Sequence, residues 1–354
     1  MNGKYRALWL NNDGDLEVID QRHLPFEKKT RVLKTAGDAC EAIKDMTVRG
    51  AGVIGNVAAF GVYLAAREFA GDKVKIKQAA LMIRESRPTA VNLMWAADRM
   101  LNVVKRADDV MTACKTEAIA IADEDVLRTQ KIGQLGCDII KNIMSKQKIN
   151  QFNILTHCNA GWLAILDSGS ALAPIYEAHK RGINIHVWVD ETRPRNQGAS
   201  LTSWELLDAG IDHTIIPDNT GGHLMQQGLV DMVITGADRV AANGDAANKI
   251  GTYLKALAAK DNDVPFYIAL PINTFDFACE NGVRDIEIEQ RNEDEVRLMR
   301  GLDKSGKLQT IRITPEHSKA ANYGFDVTPA RLITGLITEA GLVTPNQDAI
   351  GKLK

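Results

Sequence analysis

The sequence predicts an α/β protein: a C-terminal domain with a Rossmann-like, mainly parallel sheet, and a smaller, mostly helical N-terminal domain that carries a short β-hairpin. Two observations lead to this class. After about residue 150, short apolar runs rich in β-branched residues alternate with helical or turn segments, which is typical of parallel strands covered on both faces. Before that point, helical periodicity dominates the chain. We place the boundary between domains 1–130 and 131–354.

The N-terminal half begins with a predicted hairpin and continues as helices. A DG turn separates two strand-like runs in ALWLNNDGDLEVID. Apolar residues at helical spacing follow in four segments: DACEAIKDM, NVAAFGVYLAAREFAG, AVNLMWAADRMLNVVKR and the stretch from Val110 to Ser145.

The C-terminal half contains five predicted strands, in FNILTHC, INIHVWVD, DHTIIPD, DMVITGAD and VPFYIAL. At the carboxyl ends of these predicted strands stand, in order along the chain, Cys158, Asp190, Asp218, Asp238 and Pro271. Because ligands bind outside the carboxyl ends of strands in open α/β sheets, these residues are expected to meet in one crevice. The convergence predicts an active site there.

The composition excludes several classes of function. The chain of 354 residues has 43 basic and 45 acidic side chains and a net charge of -2, so we expect no nucleic-acid partner. Its five cysteines are widely spaced and form no CxxC pair, which predicts neither disulfides nor a metal site and favours the reducing cytoplasm. The N-terminus is too polar for a signal peptide, and no apolar run is long enough to span a membrane.

The segment from Gly50 to Gly55 reads GAGVIG and matches the dinucleotide fingerprint GxGxxG. That fingerprint requires a preceding strand, whereas EAIKDMTVR looks helical, so a nicotinamide-dependent dehydrogenase is the weakest interpretation. A glycine-rich loop before a helix can still hold a phosphate or a sugar oxygen, and Arg49 would add positive charge. Arg87 precedes another helix in SRPTA, where a cation opposes the helix dipole unless an anion lies between them.

A thiol and a carboxyl group stand at two of the strand ends. Cys158 in THCNAG follows a strand, and a thiol near a helix N-terminus has a lowered pKa that suits acid–base or thiolate chemistry. Its neighbour His157 points to the opposite face of the strand and is interpreted as structural. Asp238 ends the strand MVITGA. An inert buried cysteine and a capping or ion-paired aspartate are the alternative interpretations of these two residues.

Two further segments predict oxyanion binding. The loop DETRPRNQG contains Arg193, Arg195 and Gln197, which suit an oxyanion or sugar hydroxyls. Asn248 and Lys249 lie just before the helical pattern GTYLKALAAK, where an amide and an ammonium group would form a phosphate clamp. Together with a carboxyl group and a thiol, these donors form a set of groups that a purely structural role would not need.

Six segments, in the same order along the chain, resemble the methylthioribose-1-phosphate isomerase family: VRGAGVIG, SRPTAVNLMWAADRM, ILTHCNAGWLA, VDETRPRNQGASLTSWEL, DNTGGHLMQQGLVDMVITGADRVAANGDAANKIGTY and GFDVTPARLITGLITEAG. The resemblance implies a homodimeric enzyme without metal or redox cofactor. It would convert 5-methylthioribose 1-phosphate to 5-methylthioribulose 1-phosphate, a step of methionine salvage. The resemblance also implies that Cys158 and Asp238 are the catalytic pair. The substrate contacts that it implies are Arg49, Gly50, Ala51, Arg87, Gln197, Asn248 and Lys249.

The chain departs from the family pattern at several positions. It reads VRGAGVIG where the family reads VRGAPAIG, and NAGWLA where the family reads NAGALA. Trp162 adds bulk that could change what fits at C5 of the sugar, so 5-deoxyribose 1-phosphate is an alternative substrate. The same superfamily contains ribose-1,5-bisphosphate isomerases and regulatory subunits of an initiation-factor exchange complex. A non-catalytic subunit that senses a phosphosugar or nucleotide is therefore a second alternative, although such subunits generally lack the cysteine–aspartate pair.

The expected substrate poses a chemical difficulty, because phosphate on O1 blocks opening of the ring by the usual aldose route. We hypothesise that protonated Asp238 donates to the ring oxygen as the C1–O4 bond breaks, which requires a pKa raised by an apolar site. The hydrogen at C2 then reaches C1 by a hydride shift or through an enol-type intermediate. Cys158 would act as the base in the enol route or contribute electrostatically to the hydride shift.

Overall fold

The computed structural model describes residues 6–87 and 90–354, and its N-terminal part is a small antiparallel sheet followed by helices. The predicted hairpin is confirmed: β1 and β2 pair with Leu8 opposite Val18 and Leu10 opposite Leu16. A third strand and one helix, α3, were not predicted. The elements are β1 (Leu8–Leu10), β2 (Leu16–Ile19), β3 (Thr30–Leu33), α1 (Ala36–Lys44), α2 (Ala51–Glu68), α3 (Lys73–Arg84), α4 (Val91–Arg106) and α5 (Val110–Gln147). Pro88 and Thr89 of the SRPTA segment lie outside the described residues.

The C-terminal part is built on a large, mainly parallel sheet. Within the described residues this sheet has seven strands, and the pairing of the two at one edge, β15 and β16, is antiparallel. All five predicted strands belong to it, which confirms the α/β class. In spatial order the strands are β16 (Gly341–Val343), β15 (Gly335–Thr338), β10 (Phe266–Ala269), β7 (Met232–Thr235), β4 (Phe152–Thr156), β5 (Ile185–Asp190) and β6 (His213–Ile216).

A second, smaller sheet and a separate hairpin complete the strands, and neither was predicted. Their strands are too short, and too poor in alternating apolar residues, to stand out in the sequence. The small sheet has the order β11 (Phe275–Asp276), β8 (Arg239–Ala241), β9 (Ala246–Lys249) and β14 (Phe325–Thr328). The hairpin pairs β12 (Leu298–Leu302) with β13 (Leu308–Arg312).

The remaining helices cover the faces of the large sheet and join its strands. On one face, the end of α5 and α6 pack on a cluster that includes Ile132, Ile175 and Ile234, all fully buried. On the other face, α8 and α9 pack on a cluster that includes Leu155 and Ile268. These helices are α6 (Ala173–Lys180), α7 (Ser203–Asp208), α8 (Thr220–Gln226), α9 (Thr252–Asp261), α10 (Gly282–Asp285), α11 (Asp294–Arg297) and α12 (Gln347–Gly351). None of the helices in the described part of the chain is both long and apolar enough to cross a membrane.

Helix α5 connects the two halves of the chain. Its residues up to Val126 pack in the core of the N-terminal part, whereas its residues from Ile132 onward pack against the large sheet. The change of packing partner falls close to residue 130, although the helix itself continues without a break. The division into domains at that residue stays a prediction.

The glycine-rich segment is not a loop, and this part of the prediction is wrong. Gly50 is the N-cap of α2, with φ of 88°, and Gly52 and Gly55 lie inside the helix. A Cβ on Gly52 would approach Ile165 to 2.8 Å, and one on Gly55 would approach the backbone oxygen of Asn92 to 3.0 Å. These glycines therefore allow close packing of α2. The segment that precedes it is α1 and a turn, not the strand that a dinucleotide fingerprint requires.

Asn248 and Lys249 lie just before helix α9, as predicted, but they belong to a strand that was not predicted. They are the last residues of strand β9, and α9 begins only at Thr252. Both side chains are buried, at 5% and 7% exposure.

Candidate active site

A cavity lies beyond the carboxyl ends of β4 and β7 and is lined by both halves of the chain. We call it the cationic compartment. It contains Cys158 and Asp238, the two residues singled out at strand ends. Its lining residues are Met46, Arg49, Gly50, Arg87, Cys158, Arg195, Gln197, Asp238, Lys249, Arg291 and Phe325.

Positive charge dominates this compartment, because its described lining includes four arginines and one lysine, Lys249. Two glutamates hold three of the arginines in place. Glu289 lies 3.5 Å from Arg87 and 3.1 Å from Arg291. Glu295 lies 3.0 Å from Arg195 and 2.8 Å from Arg291. The cations outnumber the two carboxylates, so the compartment suits a doubly charged anion such as a phosphate group.

The protonation of Glu295 follows from these pairs. Burial opposes its charge, but hydrogen bonds and attraction from Arg291 prevail and lower the pKa of this carboxyl group to about 2. Asn322 adds a hydrogen bond of 2.8 Å to the same group. Glu295 is therefore an anion throughout the neutral range, and it holds two guanidinium groups at fixed positions in the site.

Asp238 has the opposite tendency. Burial raises the pKa of its carboxyl group above the ordinary value, while the positive charges of Lys249, Arg87 and Arg49 work against that rise. Its backbone N–H donates to Ala247 at 2.9 Å, which ties the segment after β7 to strand β9. A carboxyl group in this setting can hold a proton at a higher pH than an exposed aspartate does.

Lys249 interacts electrostatically with both Cys158 and Asp238, the two proposed reacting groups. Burial lowers the pKa of its ammonium group, whereas Cys158 and Asp238 both attract the charge. The ammonium group donates to the backbone oxygen of Gly324 at 2.8 Å and lies 4.8 Å from the centre of the Phe325 ring. One buried cation is thus held where it can act on both a thiol and a carboxyl group.

A second cavity adjoins the first and shares Gly50, Arg87, Asp238 and Phe325 with it. We call it the apolar compartment, because seven of its lining residues are apolar: Ala51, Ile54, Ala90, Ala247, Ile286, Ile288 and Phe325. Arg239 and Glu287 complete the wall. Asp238 therefore lies where a cationic and an apolar chamber meet.

Cys158 is held by hydrogen bonds to its backbone. Its N–H donates to Thr192 Oγ1 at 2.8 Å, and its carbonyl oxygen accepts from Thr202 Oγ1 at 2.7 Å. The residue has a left-handed φ of 68° and a side chain that is largely buried. The expected helix N-terminus does not follow it, because an irregular segment intervenes before α6 begins at Ala173.

Arg49 reaches across from the N-terminal part to the segment after Cys158. Its guanidinium group donates to Asn159 Oδ1 at 2.6 Å and to the backbone oxygen of the same residue at 2.7 Å. This contact joins the turn before α2 to the segment after β4. Two cavity walls that are remote in sequence are thereby connected.

A wide cleft opens onto the cationic compartment and shares Met46, Arg49, Arg195 and Gln197 with it. Its walls come from the N-terminal sheet region, the segment around residue 195 and the hairpin β12–β13. The cleft gives the site an approach from solvent.

The structure brings together most of the residues predicted to contact a substrate. Arg49, Gly50, Arg87, Gln197 and Lys249 line the cationic compartment, and Ala51 lines the apolar one. Among the described residues, Gln197 Oε1 is buried without a hydrogen-bond partner. Asn248 is different: its side-chain amide donates to Thr252 Oγ1 at 2.9 Å, and it lines neither compartment.

Three other strand-end residues do not line either compartment. Asp190 accepts from His157 Nδ1 at 2.8 Å and lies 3.0 Å from Lys255 Nζ. Asp218 accepts from the backbone N–H groups of Thr192 and Arg193 at 2.6 and 2.7 Å. These carboxylates hold loops together, and Pro271 is likewise outside both linings. The expectation that all five strand ends meet in one crevice is therefore wrong for these three.

Two further expectations are corrected. Trp162 is 3% exposed and packs with Leu24 and Leu201 in a separate apolar cluster, so it does not face either compartment. The guanidinium group of Arg193 donates to the backbone oxygens of Pro194 and Val296 at 2.7 and 2.9 Å, away from the cavity lining. His157 is buried between Asp190 and Ile250, as expected of a structural residue.

Sequence reasoning missed several lining residues. Arg291, Ile286 and Ile288 come from a segment of irregular backbone, and Phe325 begins strand β14. The segment IEIEQR does alternate apolar and charged residues, and that alternation was the available signal. It could not tell which face would meet a cavity.

The comparisons with known proteins identify the family of this chain. The model of the initiation factor 2 subunit family matches residues 43–345. A protein of Sulfurimonas denitrificans named methylthioribose-1-phosphate isomerase is 61% identical over 353 residues, which cover 99% of this chain and 98% of the relative. A protein of Brucella anthropi with the same name is 52% identical over 357 residues, covering 99% and 97% of the two chains.

Solved structures give the same grouping. The crystal structure of 5-methylthioribose 1-phosphate isomerase from Pyrococcus horikoshii is 38% identical, with a TM-score of 0.84 and coverage of 99% and 96%. A structure described as translation initiation factor eIF-2B subunit delta from A. fulgidus is 36% identical, with a TM-score of 0.81 and coverage of 99% of both chains. The chain therefore belongs to the initiation factor 2 subunit family and, within it, groups with the methylthioribose-1-phosphate isomerases.

Proposed function

We propose that this protein is an aldose–ketose isomerase that converts 5-methylthioribose 1-phosphate to 5-methylthioribulose 1-phosphate, a reaction of methionine salvage. One observation carries the proposal above the others. A thiol, Cys158, and a carboxyl group with a raised pKa, Asp238, line one cavity that has a cationic side and an apolar side. The identity of 61% to a curated isomerase supports the same reaction.

The cationic compartment binds the 1-phosphate group in this proposal. Arg49, Arg87 and Lys249 come from separate parts of the chain, and Arg195 and Arg291 are fixed by Glu295. Fixed donors of this kind hold a phosphate without reorganising when it arrives. The binding energy gained there orients the sugar ring against the reacting groups. Gln197 lines the same wall and is available for a phosphate or sugar oxygen.

Asp238 acts first, as the acid. Its proton passes to the ring oxygen O4 as the C1–O4 bond breaks, which leaves a positively charged C1 that still carries the phosphate. In the hydride route, hydrogen then moves with its electron pair from C2 to C1. The 2-hydroxyl group becomes the ketone and gives up its proton, which restores protonated Asp238. Atoms and charges balance without a cofactor.

Cys158 has a different task in each of the two routes left open by the sequence. In the enol route its thiolate removes the C2 proton, and C1 is protonated afterwards. In the hydride route it acts electrostatically beside the reacting carbons, with Lys249 as its neighbouring cation. Turnover in deuterium oxide separates the routes, because only proton removal allows solvent deuterium to enter the product at C1.

The apolar compartment binds the substituent at C5. A methylthio group is apolar and polarisable and suits walls made by Ile54, Ile286 and Ile288. A second phosphate there would lose its hydration against those side chains and would meet Glu287 as well as Arg87 and Arg239, so an apolar substituent suits this wall better than the second phosphate of a ribose 1,5-bisphosphate. A 5-deoxy sugar also fits this wall but leaves part of it uncovered. We therefore expect 5-deoxyribose 1-phosphate to be converted more slowly.

A non-catalytic regulatory subunit is the second candidate function. The observation that favours it is the similarity, with a TM-score of 0.81, to the structure described as an initiation factor subunit. Against it stands the retention of Cys158 and Asp238 in one cavity. A regulatory subunit would bind a phosphosugar or nucleotide without converting it.

Phosphorus NMR of the purified protein distinguishes these functions. The protein is mixed separately with 5-methylthioribose 1-phosphate and 5-deoxyribose 1-phosphate. We expect the anomeric phosphate signal to be replaced by that of a primary ketose phosphate, faster with the methylthio sugar. Binding without conversion of either compound would contradict the isomerase and support the regulatory subunit.

We also propose a cytoplasmic homodimer. All five cysteines are free thiols, which suits a reducing compartment. Exposed apolar side chains lie around the edge strand β6, at Leu207, Ile215 and Leu229, with exposures of 73%, 47% and 45%. Such a group is typical of a covered interface. Light scattering at micromolar concentration should give twice the mass of one chain, and a monomer mass would contradict the dimer.

A further inference from the structure

One buried carboxylate outside the two compartments is tied to the site by a continuous set of hydrogen bonds. Glu205 on α7 is fully buried, yet its hydrogen-bond partners are not cations. Its oxygens accept from Asn159 Nδ2 at 2.8 Å, the N–H groups of Trp162 and Leu163 at 2.9 and 3.2 Å, and Tyr176 Oη at 2.7 Å. Burial raises the pKa of this carboxyl group, and these four donors work in the opposite direction.

The four donors come mostly from one segment. Residues 159–164, which we call the brace, follow Cys158 directly. The brace is part of no helix or strand, and its one internal backbone hydrogen bond runs from the N–H of Ala164 to the carbonyl oxygen of Gly161 at 2.9 Å, so partners such as Glu205 also fix its shape. Gly161 leaves room for the carboxylate, because a Cβ there would lie only 1.9 Å from Glu205 Oε2. A close approach of this kind leaves the brace little freedom to shift.

The brace in turn contacts the substrate-facing parts of the N-terminal half. Asn159 receives both guanidinium hydrogen bonds of Arg49. The Ala164 carbonyl oxygen accepts from the N–H of Val53 at 2.9 Å, and a Cβ on Gly50 would lie 2.4 Å from Ala164 Cα. Asn159 Nδ2 also donates to Thr202 Oγ1, whose hydroxyl group donates to the carbonyl oxygen of Cys158.

We infer that Glu205 is a positioning residue of the active site: through Asn159 it sets the orientation of the Arg49 guanidinium group toward the phosphate of the substrate. Its carboxylate fixes the side-chain amide of Asn159, so that the amide oxygen faces Arg49. An arginine whose guanidinium group is already oriented before the ligand arrives binds a phosphate with little further loss of side-chain entropy. This inference rests on the proposed function only for its kinetic readout.

The variant Glu205→Gln tests the inference with a matched control. In this variant an NH2 group replaces one carboxylate oxygen and cannot accept a hydrogen bond from the brace. Two donors then face each other, so the brace shifts. Asp231→Asn is the control: Asp231 likewise accepts from an asparagine side chain, Asn153, at 3.2 Å, but at the opposite end of β4. We expect E205Q to raise the KM for 5-methylthioribose 1-phosphate up to about 100-fold, with a smaller change in kcat, and D231N to change neither more than about twofold.

A double-mutant cycle separates positioning from simple loss of stability. Dissociation constants for inorganic phosphate are measured by calorimetry for the wild type, E205Q, Arg49→Ala and the double variant, alongside their melting temperatures. If Glu205 acts through Arg49, E205Q weakens phosphate binding in the wild type but changes it less than about twofold in the R49A background. An undiminished effect in that background, or equal losses in E205Q and D231N, would overturn the inference.

The two proposals fail separately in this design. Phosphate binding needs no turnover, so a non-additive cycle in a protein that converts neither sugar supports the positioning role and removes the isomerase. If the wild type converts the sugars but the cycle is additive, the isomerase is supported and the positioning role of Glu205 is removed. If E205Q does not fold, Asn159→Ala replaces it in the same cycle with the same expectation, because it removes the link between Glu205 and Arg49.

Discussion

At the scale of single residues, the proposed chemistry depends on two groups, Asp238 and Cys158, whose surroundings differ from water. Asp238 is surrounded by protein and by three cationic side chains, and burial is the larger influence on its pKa. Cys158 is held on a left-handed backbone by two threonine hydroxyl groups. Both residues line the same cavity, which is why we propose that both take part in the reaction.

Asp238→Asn is expected to lower kcat by about 10²- to 10⁴-fold, because an amide cannot donate the proton that the ring oxygen takes up. The fold should persist, since the substitution is isosteric. Steady-state kinetics and a melting curve check both statements. Asp276→Asn, in strand β11 of the small sheet, serves as the control and should keep most of its activity. A kcat within threefold of the wild type in D238N would remove Asp238 from the mechanism.

The pH dependence of the reaction follows from the same group. A general acid works only while protonated, and a raised pKa extends the protonated form to higher pH. In the hydride route we therefore expect kcat to be maintained on the acidic side of that pKa, and in either route kcat should fall as the pH rises through it. The measurement is a kcat profile from pH 5 to 9. A profile that rises across this whole range would contradict the assignment of Asp238 as the acid.

Cys158→Ser should lower kcat strongly in either route, because a hydroxyl group is a much poorer base and a weaker electrostatic partner for Lys249 than a thiolate. Cys279→Ser provides the matched control, since this thiol is also free but lies outside both compartments. We expect the control to keep its kcat within about twofold. Equal kcat values for the two variants would exclude a catalytic role for Cys158.

At the scale of secondary-structure elements, the start of helix α2 determines how the two halves meet. Gly50 caps the helix with φ of 88° and touches the brace at Ala164. The next residues, Ala51 and Ile54, line the apolar compartment. The position of this helix end therefore governs the shape of the cavity.

Gly50→Ala is expected to destabilise the fold by about 3 kcal/mol or more, since it combines an unfavourable φ with a backbone clash. Gly71→Ala is the matched control: its φ of 83° is similar, but no atom lies within 4 Å of the added Cβ. The control should cost only about 1–2 kcal/mol. Urea unfolding of both variants measures the difference, and equal losses would show that contact with Ala164 is unimportant.

Helices α2 and α5 are joined by the buried carboxyl group of Asp125. Burial raises the pKa of Asp125 to about 6 from 3.8, although Arg128 and Asn56 oppose the rise. Asn56 Nδ2 donates to Asp125 Oδ2 at 2.6 Å. Between about pH 4 and 6 the native state keeps this proton while the unfolded chain loses it, so the native state binds more protons.

The stability contributed by Asp125 should accordingly fall as the pH rises through this window, by up to about 3 kcal/mol. It should then stay level above the native pKa. Urea unfolding of the wild type and Asp125→Asn at pH 4, 5, 6 and 7 tests this, with the variant showing a flatter dependence. Parallel curves for the two proteins would mean that Asp125 has an ordinary pKa.

At the scale of the whole molecule, the site exists only where the two halves of the chain meet. Arg49 and Arg87 come from the N-terminal half, whereas Cys158, Asp238 and Lys249 come from the C-terminal half. Other contacts hold the halves together, including Arg128 with Glu339 at 3.4 Å and Asn92 with Asn273 at 2.9 Å. A ligand in the cationic compartment therefore bridges both.

Inorganic phosphate at 100 times its dissociation constant should stabilise the native state by about 2.7 kcal/mol. Hydrogen exchange should slow in two places at once, at residues 50–55 of α2 and 246–251 around β9. Sodium chloride of equal ionic strength is the control and should protect neither segment. Protection confined to one half would contradict a site shared between them.

The sequence by itself determined the α/β class, the hairpin, the strands of the large sheet except the two at its antiparallel edge, and most of the residues around the cavity. These features follow from local patterns: apolar runs make strands, and short motifs carry Cys158, Asp238, Arg49 and Gln197. The tertiary structure alone decided which of the strand-end residues face the cavity. In the folded chain, Asp190 and Asp218 form hydrogen bonds that hold loops together, and Trp162 packs in a separate apolar cluster. Arg291, Ile286 and Ile288 line the cavity walls. The reason is physical: a side chain's chemistry is local, but the face it presents depends on packing between elements that are far apart in sequence.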